Sequence, residues 1–113
     1  MNIAIIGSRT INDYELIKNG FIEHYGNSKV NNIVSGGAIG VDSLAEQLAD
    51  ELKINKIIFK ADWNKFGKSA GMIRNKLIVD NADEILAFWD KKSIGTKHTI
   101  ELAKKQNKKV YII

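Results

Sequence analysis

The sequence predicts an α/β fold: an open parallel sheet of about five strands with helices on both faces. Three observations carry that expectation. Short β-branched runs alternate along the chain with longer amphipathic segments. The runs are mostly apolar, as strands covered on both faces should be. The segment beginning at Val41 repeats its apolar residues at helical spacing, with Val41, Leu44, Ala45, Leu48, Ala49 and Leu52 at i, i+3, i+4, i+7, i+8 and i+11.

The strands are expected at Asn2–Ile6, Asn32–Val34, Lys56–Phe59, Glu84–Phe88 and Lys109–Ile113. A first helix is expected from Asp13 to Tyr25, with Tyr14, Ile17, Phe21 and Tyr25 on one face. Asn12 can cap it, with Glu15 completing a capping box. The second helix starts at Val41 with Ser43 and Glu46 as a similar box. A third spans Ser69–Asn81 and a fourth Thr96–Gln106, with Ile100 and Ala103 facing inward. No repeat or composition break interrupts this order, so residues 1–113 read as a single domain. Right-handed crossovers put every strand-to-helix loop at the carboxyl edge of the sheet. With the expected strand order 3-2-1-4-5, the loops after the first and fourth strands face each other across the switch point, where open α/β sheets bind ligands.

Composition narrows the chemistry. Of 113 residues, 44% are apolar and 27% charged, which suits a soluble globular domain. Cysteine is absent, which excludes disulfides, thiolate metal sites and a cysteine nucleophile. Met1 leads directly into Asn2-Ile3-Ala4-Ile5-Ile6, so neither a signal peptide nor a membrane partner is expected and a cytoplasmic location is the default. The net charge of +4 is uneven: residues 1–52 carry three basic and seven acidic side chains, residues 53–113 fourteen and six. The lysines at 104, 105, 108 and 109 fit a solvated helix end and strand start. Ile, Asn and Lys make up 44 residues, a skew that suggests an AT-rich genome, and only Arg9 and Arg74 are arginine. Arginine offers a planar fork that grips phosphate bidentately, which lysine cannot copy.

The unusual residues gather in the carboxyl-edge loops. Gly7-Ser8-Arg9 follows the first strand and combines close backbone approach, a hydroxyl and a fork; taken alone, the triplet reads first as a plain turn. Ser35-Gly36-Gly37-Ala38-Ile39-Gly40-Val41-Asp42 joins strand to helix with three glycines in five positions. Such a turn can leave N–H groups pointing outward where the helix dipole favours an anion. Asp42 reads as a cap or as a ligand-hydroxyl acceptor. In Ala61-Asp62-Trp63, the tryptophan can stack on a base and Asp62 can accept from a ribose, or the aromatics can simply pin the loop. Arg74-Asn75 lies one turn into the third helix, where a phosphate contact competes with a surface ion pair. Asp90 ends the fourth strand, and Ser93, Gly95 and Thr96 lead into the last helix, a second anion-favouring terminus. His98 reads as a solvated surface residue before a ligand or proton carrier, and no metal site can be assembled from two histidines.

Taken together, Gly7-Ser8-Arg9, Ser35-Gly36-Gly37-Ala38 with Gly40 and Asp42, Ala61-Asp62-Trp63, Ala70-Gly71 with Arg74-Asn75, and Ala87-Phe88-Trp89-Asp90 with Gly95-Thr96 resemble the SLOG superfamily. That superfamily joins the Smf/DprA proteins to the LOG phosphoribohydrolases, and the chain resembles its small cpYpsA-related group. The resemblance implies a Rossmann-like fold, a nucleotide-derived ligand in the crevice, and a homodimer or higher homo-oligomer; no cofactor is expected. It also has departures. Asn75 stands where LOG enzymes have lysine, and Thr99 where they have glutamate. Glu101 lies about 200° around the helix from that position. Ser93 and its neighbours replace a Pro-Gly-Gly segment, and Lys91 follows Asp90 where glycine is expected. The binding half of the site is present; the LOG catalytic half is not.

Three functions follow as expectations. The first is binding of a nucleotide or nucleotide-derived ligand, such as an ADP-ribose or cyclic ADP-ribose type signal, by a protein that senses or sequesters it, suited to a phage or mobile element. The second is an N-glycosidase or phosphoribohydrolase, in which Asp90 stabilises the oxocarbenium ion or orients water and Arg74 holds the phosphate. The third is single-stranded DNA binding as in DprA, supported by the basic second half and the Trp63/Phe66 loop.

Overall fold

The structure, a computed structural model, describes residues 1–113. Strand β1 (Asn2–Gly7) leads to helix α1 (Tyr14–Tyr25), β2 (Asn32–Ser35) to α2 (Val41–Glu51), and β3 (Asn55–Ile58) to a short α3 (Trp63–Phe66). A 3-10 turn at Gly67–Ser69 then enters α4 (Ala70–Asp80), followed by β4 (Glu84–Phe88), α5 (Ile94–Lys105) and β5 (Lys109–Ile112). The five strands form one sheet in the order β3-β2-β1-β4-β5, every pair parallel. This is the Rossmann-type order expected from the sequence.

Strand periodicity sorts the core into two layers. In β1, Ile3 and Ile5 face α1 and α2, where they meet Ile17, Phe21, Leu44 and Leu48. Ala4 and Ile6 face the other way, onto Ile78 and Val79 of α4 and Ile100 and Ala103 of α5. The period-2 alternation of an all-apolar strand thus feeds both faces of a central strand. The apolar stripe of α2 is buried as its spacing predicts, with Val41, Ala45, Leu48 and Ala49 fully covered.

Several local expectations are corrected. The cap of α1 is Asp13, not Asn12: its extended backbone (φ −124, ψ 95) lets the carboxylate accept from the Leu16 N–H at 3.2 Å. No Ser43/Glu46 box forms in α2, because the chain turns left-handed at Gly40 and the helix begins immediately after it. The segment read as a loop before the third helix holds a helical turn, capped by Asp62 accepting from the Lys65 N–H at 3.0 Å. Helix α5 starts two residues before Thr96, at Ile94, because Ser93 is its cap and accepts from the Thr96 N–H at 3.3 Å. No helix is long and apolar enough to cross a membrane.

Candidate functional site

The strand order creates the site. The chain runs outward from β1 to β2 and β3, then crosses back to β4 on the other side of β1. Helices α1 and α2 therefore pack on one face and α4 and α5 on the other. The loops leaving β1 and β4 must diverge, and a cleft opens between them. Its volume is about 550 Å³.

Ser8 bolts this junction together. It is 1% exposed; its N–H donates to the Phe88 carbonyl at 3.0 Å and its Oγ accepts from the Asp90 N–H at 3.1 Å. Its carbonyl accepts the Val41 N–H at 3.4 Å, tying the start of α2 to the same point. Opposite, Asp90 Oδ1 accepts from the N–H groups of Lys92 and Ser93, each at 2.8 Å, and Oδ2 accepts from the Thr10 hydroxyl at 3.3 Å. These bonds, the two backbone donors foremost, hold the Asp90 carboxyl below its ordinary value. The turn places Lys91 at φ 67, a left-handed conformation that glycine adopts more readily, which accounts for the glycine expected there.

Arg74 comes from α4 on the far face of the sheet. Its Nη1 donates to the Gly36 carbonyl at 2.8 Å and its Nε donates to Asn75 Oδ1 at 3.0 Å. Of its five N–H donors, three have no protein partner. Burial pulls its pKa down, opposed by Asp42 and reinforced by Arg9, but a guanidinium remains cationic. Arg9 makes no side-chain hydrogen bond or ion pair at all. Gly36 is bare for a steric reason: a Cβ there would lie 2.5 Å from Arg74 Nη1 and 2.8 Å from Asp42 Oδ2.

Asp42 is not the cap of α2, which is Gly40. Its carboxylate is 8% exposed and accepts from the Ala38 N–H at 3.2 Å. Burial pushes its pKa from 3.8 to about 6, against the opposing pull of that N–H and of Arg74. The Gly37 N–H donates to Ser35 Oγ at 3.4 Å. Two amides of the glycine turn are thus engaged within the protein, whereas Arg9 and Arg74 carry side-chain donors that are not. Asn75, 7% exposed, orients Arg74 in turn: since Oδ1 accepts from Nε, its Nδ2 faces His98 Nδ1 at 3.2 Å and the Gly95 carbonyl at 3.4 Å. His98 is half-buried in this network rather than solvated, and its Nδ1 is the acceptor.

Gly7, Ser8, Arg9, Ala38, Asp42, Arg74, Asn75, Asp90, Ser93, Gly95 and Thr96 converge on the cleft. Gly36, Gly37 and Trp63 line an adjoining hollow instead. Ser35 and Asp62 line neither: Ser35 is fully buried with its hydroxyl on the Asp42 carbonyl at 3.3 Å, and Asp62 caps α3. Sequence reasoning missed Thr10, Lys92 and Thr99 in the cleft and Lys60 beside it. Thr10 and Lys92 sit next to residues already singled out, and Thr99 lies one helical turn beyond Gly95, so spacing could have found them.

Fold and site together define a Rossmann-like, doubly wound α/β protein with a cationic cleft at its switch point. The chain belongs to the YspA, cpYpsA-related SLOG family (YAcAr), whose model matches residues 1–66. It is 35% identical over 79 residues to the Gene 61 protein of Mycobacterium phage D29, a match covering 65% of this chain and 63% of that protein. Its fold is similar to DNA processing protein A (DprA) from Streptococcus pneumoniae, with a TM-score of 0.80 and 19% identity, over 98% of this chain and 49% of that one. It is also similar to DNA processing protein A from Helicobacter pylori, which has a single-stranded DNA binding mode (TM-score 0.67, 23% identity, 99% of this chain and 64% of that one). The chain thus spans less than two thirds of the length of each of these relatives.

Proposed function

We propose that the chain binds a nucleotide or nucleotide-derived ligand, of the ADP-ribose or cyclic ADP-ribose type, in the switch-point cleft, and that it senses or sequesters the ligand rather than converting it. One observation carries the reading: Arg9 and Arg74, the only arginines of the chain, both line the cleft with N–H donors that no protein group uses. A phosphate between them takes the bidentate, charge-assisted bonds that arginine is shaped to give. The hydroxyls of Ser93, Thr96 and Thr99 and the N-terminus of α5 line the same space, with polarity suited to an anionic, hydroxyl-bearing ligand. The likeness to a phage protein agrees with a mobile-element setting.

Hydrolysis has weaker support. Both oxygens of Asp90 already accept from the protein, and Thr99 occupies the LOG glutamate's place with its hydroxyl donating to the Gly95 carbonyl at 3.1 Å. A single-stranded DNA reading is favoured by the DprA likeness and by the exposed Trp63. Self-association belongs to the proposal as well, since β3 and β5 leave both edges of the sheet unpaired. Calorimetry with AMP and ADP-ribose tests the main reading: saturable one-site binding to the folded chain is expected, and no heat with either ligand would remove it.

A further inference from the structure

The cleft does not end at Arg74. Beyond it lies a second hollow of about 390 Å³, lined by Gly36, Gly37, Ile39, Lys60, Ala61 and Trp63. Both spaces share Arg9, Ala38 and Arg74. The two arginines therefore stand at a junction between compartments and not at the end of one.

The compartments differ in chemistry. The main cleft is lined by hydroxyls and by Lys92. The second hollow offers an indole 55% exposed and an isoleucine, Ile39, 71% exposed. Asp62 caps the helical turn that carries Trp63, and the indole reaches toward α4, where a Cβ on Gly71 would meet its Cη2 at 3.5 Å. An open indole beside a cationic junction is a stacking platform for a planar group. Charge is placed to match, with an unpaired Arg9 and three free Arg74 donors at the junction and one lysine, Lys60 or Lys92, on each side.

We infer that the ligand is two-ended: a pyrophosphate held by Arg9 and Arg74 at the junction, a hydroxyl-bearing sugar in the main cleft, and a base stacked on Trp63 in the second hollow. This rests on the nucleotide-binding reading and deepens it by assigning a place to each part of an open pyrophosphate-bridged ligand, a nucleoside diphosphate sugar or a dinucleoside pyrophosphate. A mononucleotide fills one compartment and leaves the other empty.

Calorimetry on the whole chain with ADP-ribose, AMP and ribose 5-phosphate tests it. ADP-ribose is expected to bind about tenfold or more tightly than either smaller probe. Trp63→Ala is expected to cost about tenfold in ADP-ribose affinity, the loss of one stacked base, while ribose 5-phosphate binding is unchanged. Trp63→Phe keeps most of the affinity, because any aromatic face can stack. Equal binding of all three probes by the native chain, a comparison that needs no variant, overturns the two-ended ligand but leaves a phosphate-binding cleft. So does a Trp63→Ala loss that falls equally on ribose 5-phosphate. Tighter binding of a single-stranded oligonucleotide than of ADP-ribose overturns it in favour of a nucleic-acid strand. Failure of every phosphate probe removes the nucleotide reading too.

Discussion

At the scale of single residues, the site turns on the contrast between two cations with free donors and one buried acid. Arg74 uses two N–H groups to brace itself against Gly36 and Asn75 and keeps three for a ligand. Arg74→Lys preserves the charge and removes the fork, so affinity for ribose 5-phosphate is expected to fall about tenfold, measured by calorimetry, with the circular dichroism spectrum unchanged. Asp42 works against the fold. Its pKa is raised from 3.8 to about 6, so the neutral form is favoured on folding. The stability it contributes is complete below 3.8, is lost as pH rises through about 6, and then stays lost. The full difference is about 3 kcal/mol. Asp42→Asn keeps an acceptor for the Ala38 N–H without the charge. Urea unfolding across that window is expected to show the variant gaining on the native chain as pH rises, with a constant gap above it.

At the scale of elements, the loop between β2 and α2 does more positioning than binding. Gly40 takes φ 78 and ψ −131, and a Cβ on it would lie 2.6 Å from the Arg9 Cα and carbonyl oxygen. The loop after β1 and the start of α2 are therefore packed backbone to backbone, which sets where Arg9 stands. Gly40→Ala is expected to cost about 2 kcal/mol or more from strain alone, with a further steric penalty. A fall in Tm of roughly 10 °C by scanning calorimetry would match that cost. Glycine spacing marked this turn in the sequence, but not the reason for it. From the sequence the glycines suggested amides free for an anion; in the fold, Asp42 and Ser35 take two of those amides. The caps were misplaced by the same limitation. Asn12 and Asp13 are both good caps, and which one is used depends on the path of the chain leaving β1.

For the whole molecule, the partition of helices between two faces is what leaves a cleft at all. The alternating strands and amphipathic segments predicted that architecture, and the strand order matches. The basic second half of the chain belongs to this scale too. Its lysines at 104 and 105 occupy the last turn of α5, favourable to the helix dipole and remote from the cleft lining. Two arginines and two lysines border the cleft and its hollow. Binding of a small phosphate ligand there is expected to weaken only modestly with salt. Single-stranded DNA spread over the basic half would lose affinity steeply, with a log–log slope of roughly −0.7 per phosphate contact. Fluorescence titrations of ADP-ribose and an oligonucleotide across a salt series separate the two.

The sequence by itself determined the five strands, their parallel order and which loops meet at the switch point, because these depend on local periodicity, glycine placement and the handedness of crossovers. Only the tertiary structure decided what each of those residues does. Arg74 reaches Gly36 across 38 positions of sequence, Thr10 meets Asp90 across 80, and Trp63 faces a different hollow from the hydroxyls of α5. Which donor is already used, which carboxyl is buried and which ring is left open are properties of contacts between distant segments, and no local pattern encodes them.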